Sequence, residues 1–297
     1  MKNKIKYALK SLFHKIDGLH DNCPSCSSKS YVQIGSKEFI KYPTALRYCN
    51  DCKVFFRHPT TLEDESKKFY EDEYVQNGLT TDLPSTDSLQ GLLNSNFAGS
   101  EKDFSNWIHL LEGIADKLKR KIRVLDYGAN WGYTVYQMKK LSFVDEAVGY
   151  EYSDIRRRYG EANLNVSYIR ETEFENNFDV VFSSHVIEHM HNPSLFRGHM
   201  DRLLARRGFV IVTCPNGSMS SLLENPNRWK KLWGEVHPNF ISDLYLLKQF
   251  SDYEGIVFDD SVSDLEDSTH INQLTKPPSS RLPSSCNLIG VFRINAE

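Results

Sequence analysis

No stretch of the 297-residue chain is apolar over the roughly 20 residues that a membrane span requires. The N-terminal MKNKIKYALKSLFHKI lacks the continuous apolar core and small-residue cleavage site of a secretory signal, so the expected location is the cytosol. Neither sign of charge is in excess. Thirty-six Lys and Arg stand against 39 Asp and Glu, a net charge of −3, without the basic field of a general nucleic-acid binder. DNA is therefore not an expected partner, and RNA is disfavoured. Sixteen glycines and 11 prolines exclude collagen-like and low-complexity chains. What remains is ordinary globular composition, long enough for a large core and for two domains.

Cysteine is scarce, at six, but its placement is ordered. Cys23 and Cys26 form one C-x-x-C, and Cys49 and Cys52 form a second after 22 intervening residues. In a reducing compartment such pairs are poor disulfide candidates. Two knuckles instead offer four thiolates to one tetrahedral zinc, with Pro24-Ser25 and Asn50-Asp51 as turns and YVQIG and FIKYP as short strands between them. Such a site has no open ligand position. Its expected job is structural, holding together a zinc-ribbon-like domain over 21–76 that is too small for a core of its own.

Residues 1–20 carry five Lys against one Asp, with Ile5, Leu9, Leu12, Phe13 and Ile16 at helical spacing. This basic amphipathic helix packs on a neighbouring domain or touches an anionic membrane surface. The acidic segment 60–74 reads as a short helix, and 77–100 as a polar linker or lid. From 101 to 297 strands and helices alternate. The strands are IRVLDYG, EAVGYE, NVSYI, FDVVFSS, GFVIVTCP, EGIVFDDSV and NLIGVFRIN, with a helix expected from Pro193 to about Arg206. The alternation predicts an α/β fold: a doubly wound, seven-stranded, mostly parallel Rossmann-like sheet with helices on both faces.

The first of these strands ends in VLDYGANWG, placing Asp126, Tyr127, Gly128, Asn130 and Gly132 at a glycine-rich turn on the carboxyl edge of the sheet. Glu151 closes the next strand 19 residues after Gly132, where an acid can take both hydroxyls of a ribose. A dinucleotide site fits less well, because the third glycine that receives pyrophosphate is missing. VLDYGANWG, VGYE and FDVVFSSHVIEHMHNP resemble the successive motifs of class I S-adenosylmethionine-dependent methyltransferases, over roughly 104–297. The resemblance implies S-adenosylmethionine as cofactor, with the glycine turn along its methionine part and Glu151 on its ribose. Ser184, which ends the fourth strand, and His185, which follows it, complete the implied cofactor site.

Methyl transfer needs an aligned acceptor and, for a hydroxyl or carbon acid, a group that removes its proton. Glu188 and His189 follow the fourth strand directly. The segment is also similar to a Glu-x-x-Glu-His stretch of ubiquinone-pathway O-methyltransferases, and that similarity implies a metal at His185, Glu188 and His189; a hydrogen-bonded turn shaping the cofactor pocket is the other reading. His237, in WGEVHPNFIS, is the second candidate base or a packing histidine. With Phe240 and Ser242 it resembles a stretch of the sugar C-methyltransferases that carry an N-terminal zinc-binding domain. Together the resemblances imply methylation of a small molecule, a sugar of a nucleotide-sugar or surface-polysaccharide pathway. Trp229, Trp233, Phe240 and Tyr245 suit stacking on such a substrate, or core packing. The alternatives are an RNA methyltransferase served by Arg156, Arg157, Arg158, Arg206 and Arg207, and a zinc-ribbon binding module on a non-catalytic methyltransferase-like domain.

Overall fold

The computed structural model describes residues 9, 12, 21–34, 40–41, 44–60, 63–64, 82–175, 177–232, 237–260, 268–281 and 285–294. The helix expected over 1–20 (Leu9 and Leu12 apart), most of the acidic segment 60–74, and Trp233 lie outside the described residues. In chain order the strands are β1 (Tyr31–Gln33), β2 (Ile40–Lys41), β3 (Thr44–Cys49), β4 (Phe55–His58), β5 (Ile122–Tyr127), β6 (Val144–Tyr150), β7 (Phe178–Ser184), β8 (Leu204–Pro215), β9 (Asn239–Phe240), β10 (Glu254–Asp259), β11 (Ser279–Ser280) and β12 (Asn287–Arg293). The helices are α1 (Thr86–Asn94), α2 (Ser105–Leu118), α3 (Tyr133–Met138), α4 (Asp154–Leu164), α5 (Leu195–Leu203), α6 (Met219–Glu224), α7 (Pro226–Leu232) and α8 (Asp243–Gln249).

The large sheet has seven strands in the order β11-β10-β12-β8-β7-β5-β6. β6, β5, β7 and β8 run parallel, β12 lies antiparallel between β8 and β10, and β11 adds a parallel edge to β10. β7 is buried along nearly its whole length, as the apolar stretch of Val180, Val181 and Phe182 at its centre suggests, with the buried Asp179 paired to Arg120. Its residues serve the two faces alternately. Val181 packs with Phe196 and Met200 of α5 and Leu246 of α8, whereas Val180 and Phe182 pack with Leu111 and Ile114 of α2 and Val135 of α3. Helices therefore cover both faces, as the alternation predicts.

Three elements differ from expectation. NVSYI forms no strand; it contributes one parallel bridge, Tyr168 with Gly149, and the sheet reaches seven strands through β11. β8 begins at Leu204, where a helix was expected to run to Arg206, because Leu204 already pairs with Phe178 before the ladder shifts register. The polar segment 77–100 contains α1. Ser85 caps it by accepting from Ser88 N at 3.2 Å. Leu89 and the fully buried Phe97 belong to the same core cluster as Trp131.

The N-terminal sheet runs β1-β3-β4-β9, with β2 on β3. Its last member comes from far along the chain: Phe55 pairs with Phe240 and Phe56 with Asn239. Cys23, Cys49 and Cys52 share one core cluster with Ile241, Tyr245 and Leu246. Ser242 Oγ donates to Lys53 O at 2.7 Å, and Ser25 and Tyr245 share a hydroxyl hydrogen bond of 2.9 Å. The cysteine-bearing segment is thus built onto α8 and β9.

Candidate functional site

The two knuckles have one local geometry. Cys23 O accepts from Ser27 N at 2.9 Å and Cys49 O from Lys53 N at 3.0 Å, while Cys23 N reaches Ser28 O and Cys49 N reaches Val54 O, both at 2.9 Å. Ser27 and Lys53 take the left-handed conformation that closes such a turn, at φ 59° and 70°. The four Sγ atoms lie within 4.8 Å of one another, with Cys23–Cys52 and Cys26–Cys49 at 3.5 Å. Tetrahedral zinc–thiolate bonds of about 2.3 Å set S···S at about 3.8 Å, so the four sulfurs fit one metal ion. The hydrogen bond from Cys23 pulls the Cys52 thiol down to about 5 and pushes Cys23 well up, and burial raises Cys26 to about 11.

At the carboxyl edge of the large sheet, the turn after β5 folds against the end of β6. Gly128 N and Ala129 N both donate to Tyr150 O, at 2.8 and 2.9 Å. Gly128 takes φ 89°, and a Cβ there would stand 2.2 Å from Val186 Cγ2. Glycine is thus required by the approach of Val186 as well as by the backbone angle. Asn130, at φ 51°, is pinned from several sides. Its N–H donates to Glu151 Oε2 at 2.9 Å, its carbonyl accepts from Tyr168 Oη at 3.1 Å, and its side-chain oxygen accepts from Trp131 N and from Arg156. Glu151 Oε1 accepts from Ser153 N at 2.9 Å. Each carboxylate oxygen thus keeps a lone pair for a further donor. Burial raises the pKa of Glu151, and burial and the nearby Glu151 charge push Asp126 up to about 8.

Tyr127 turns inward. Its hydroxyl bonds His199 Nδ1 at 2.6 Å, and its ring packs on Tyr150 and Phe196, leaving its backbone at the site. Gly132 caps α3, and Ser184, half-buried, is the last residue of β7. Arg156 and Arg157 are buried, the first on Asn130 and the second on Glu151 O, Tyr152 O and Asp154. Arg206 and Arg207 stand exposed near the start of β8, at the opposite edge of the sheet. Tyr168, which sequence reasoning did not single out, covers both Gly132 and Gly160; an aromatic residue in a weak strand gave no signal of that role.

The third group lies beyond β7. His185 holds φ 55° and donates its N–H to Thr213 O at 2.8 Å. The following turn, Ile187–His189, buries Glu188 to 1% exposure. Neither Glu188 oxygen makes a hydrogen bond, although His185 Nδ1 lies 3.3 Å and His189 Nε2 3.8 Å from Oε1. Burial would raise the Glu188 pKa, but His185, His189 and His237 together hold it below the usual value. For His185 burial is again outweighed, and Glu188 keeps its pKa above the ordinary one. His237 arrives from beside β9, its ring centroid 4.6 Å from that of His189. Glu188, His189 and His237 each place a donor atom within 4.8 Å of the others; His185 is not of that group. Asn239 Nδ2 donates to Met190 O at 2.6 Å, and Pro238 O accepts from Arg57 N at 2.8 Å, fixing the segment on both sides. The aromatic residues expected near a substrate are core: Trp229 stacks on Phe240 at 4.6 Å with both rings buried, and Tyr245 is fully buried.

A family model described as a methyltransferase domain matches residues 100–254. Among solved structures, the plantazolicin methyltransferase BamL, solved with a triazolic desmethylPZN analog and SAH, is 15% identical, over 70% of this chain and 91% of that one, with a TM-score of 0.48. The YcgJ protein from Bacillus subtilis is 16% identical, over 64% and 99%, at 0.43, and a SAM-dependent methyltransferase from Archaeoglobus fulgidus is 14% identical, over 68% and 99%, also at 0.43. No curated protein matches significantly. Because the family match takes in just over half of the chain, the chain belongs to the methyltransferase-domain family, of the class I, S-adenosylmethionine-dependent kind.

Proposed function

We propose that this methyltransferase acts in the cytosol on a small molecule, a sugar of a nucleotide-sugar or surface-polysaccharide pathway. The observation that carries the cofactor part is the Glu151 carboxylate. It is held by Asn130 N and Ser153 N beside the glycine turn, with lone pairs left for ribose hydroxyls. Asp126, Gly128, Asn130 and Gly132 would line the rest of the cofactor, with Ser184 and His185 across from them. S-adenosylmethionine supplies a methyl group on a sulfonium, which is already a good leaving group. The protein's share is to orient the acceptor and take up its proton. We assign that share to Glu188, His189 and His237, which converge beyond β7 at the same sheet edge. We assign one structural zinc to Cys23, Cys26, Cys49 and Cys52.

The substrate class is supported by the two features that come together here, a cysteine module built onto the catalytic fold and His237 beside β9. The RNA reading needs a basic face, and two of its arginines, Arg156 and Arg157, are buried on the first turn of α4. The test is incubation of the purified protein with labelled S-adenosylmethionine and a panel of sugar nucleotides, read by mass spectrometry. A product 14 mass units heavier in a sugar nucleotide is expected, the mass of CH3 replacing H. Labelling of RNA alone, falling steeply between low and moderate salt, would contradict the substrate assignment.

A further inference from the structure

The acceptor-side cluster contains something that proton uptake alone does not explain. Glu188 is 1% exposed, and both of its oxygens are buried without a hydrogen bond. Its ion-pair neighbours, His185 at 3.3 Å and His189 at 3.8 Å from Oε1, leave both oxygens without the hydrogen bonds that a buried carboxylate ordinarily makes unless a metal holds it. Two histidines from separate parts of the chain bring nitrogen donors to it, and the three donor atoms lie within 4.8 Å of one another. His189 comes from the turn after β7, and His237 is brought in by the segment that enters the cysteine module's sheet.

We propose that Glu188, His189 and His237 hold a second metal ion, a zinc-class divalent cation distinct from the one at the cysteines, with an open position for a hydroxyl oxygen of the acceptor. The inference rests on the reading that this cluster is the acceptor site. Two imidazoles and one carboxylate are a borderline N2O set that suits zinc, and three protein ligands leave a fourth position for a bound oxygen. The all-cysteine site, in contrast, has none. His189 and His237 are half-buried where Glu188 is fully buried, so the two imidazoles keep some access to solvent. A cation at this position lowers the pKa of a bound hydroxyl. With all three side chains committed to the cation, their part becomes orienting the acceptor, and none of them takes up its proton: the acceptor O–H bond breaks and the proton passes to solvent. The oxygen forms the new O–CH3 bond as the sulfonium C–S bond breaks, and that electron pair stays on sulfur. The acceptor atom assigned by this site is therefore oxygen.

The test is titration of the full-length protein with zinc alone, after a mild chelator has removed loosely held metal, together with cobalt substitution read by absorption. Two zinc equivalents per chain are expected in total. Cobalt in the tighter site should show thiolate charge-transfer bands, and cobalt in the weaker one should not. Glu188→Gln and, separately, His237→Gln should weaken the second equivalent by more than about 100-fold, beyond what loss of an outer-shell partner costs, and leave the first unchanged. S-adenosylmethionine affinity, measured on the same samples, should stay near wild type in both variants. A single equivalent in the wild-type protein, or a second one indifferent to both substitutions, overturns the metal site. If S-adenosylmethionine is bound normally in that case, the functional reading above survives it. The cobalt spectrum needs no variant, so a poorly folding substitution does not remove the test.

Discussion

Asp126 is placed where its ionisation works against folding. It lies next to last in β5 at 5% exposure with Glu151 nearby, and its pKa is pushed up to about 8. The native state therefore keeps a proton that the unfolded chain releases near pH 4, and the stability present below that pH is lost as pH rises towards 8, at up to about 1.4 kcal/mol per unit. Denaturant unfolding of the ligand-free protein between pH 5.5 and 8 should show this slope in the wild type and a flatter one in Asp126→Asn; equal slopes would mean that Asp126 is already ionised in the fold. Gly128 is tied to Val186 in a comparable way. Gly128→Ala places a Cβ at 2.2 Å from Val186 Cγ2 at φ 89°, and should cost about 1–3 kcal/mol of stability. Adding Val186→Ala should recover the part due to the clash, so a double variant no more stable than the single one would show that the backbone angle alone is responsible. These residues were legible in the sequence because the turn and its acid are fixed by short spacings along adjacent strands. The pairing of Gly128 with Val186 was not, since it depends on how the loop after β7 returns over the turn.

Among the elements, β9 most changes the picture. Two residues give no periodicity to read, yet Asn239 and Phe240 join the catalytic domain to the cysteine module through β4 and place His237 against His189. The divisions at 21–76 and 101–297 were drawn from the cysteine knuckles and from the alternation of strands and helices, signals that carry no trace of a partner so far along the chain. NVSYI was misleading in the opposite sense: its β-branched and aromatic residues suit a strand, but only Tyr168 bridges to Gly149. α1 was hidden by polar composition, although Leu89, Leu92 and Leu93 have helical spacing. The β4–β9 joint makes a prediction at this scale. Cys49→Ser should release the proposed zinc, and hydrogen exchange at the Phe240 amide should accelerate by at least about tenfold, because its strand partner Phe55 follows directly from the second knuckle. Unchanged protection with the metal lost would mean that β9 is held by the catalytic domain alone.

For the molecule as a whole, one core cluster runs from the cysteine knuckles through α8 and α5 to the large sheet, and a second lies on the other face around α2 and α3. The fold class was readable because alternating strands and helices with apolar strand interiors leave few other architectures. The three-residue cluster beyond β7 was readable only as separate candidates, since nothing in sequence brings His237 to Glu188. The central claim is that the turn after β5, with Glu151, holds S-adenosylmethionine, and isothermal titration of that cofactor tests it most directly. The wild-type protein should bind S-adenosylmethionine, and Glu151→Ala should weaken it by about 1.5–3 kcal/mol, the range for charged hydrogen bonds left unmade. Gly128→Val should abolish binding. Equal affinity in all three proteins, or a clear preference for a nicotinamide dinucleotide, would contradict the account.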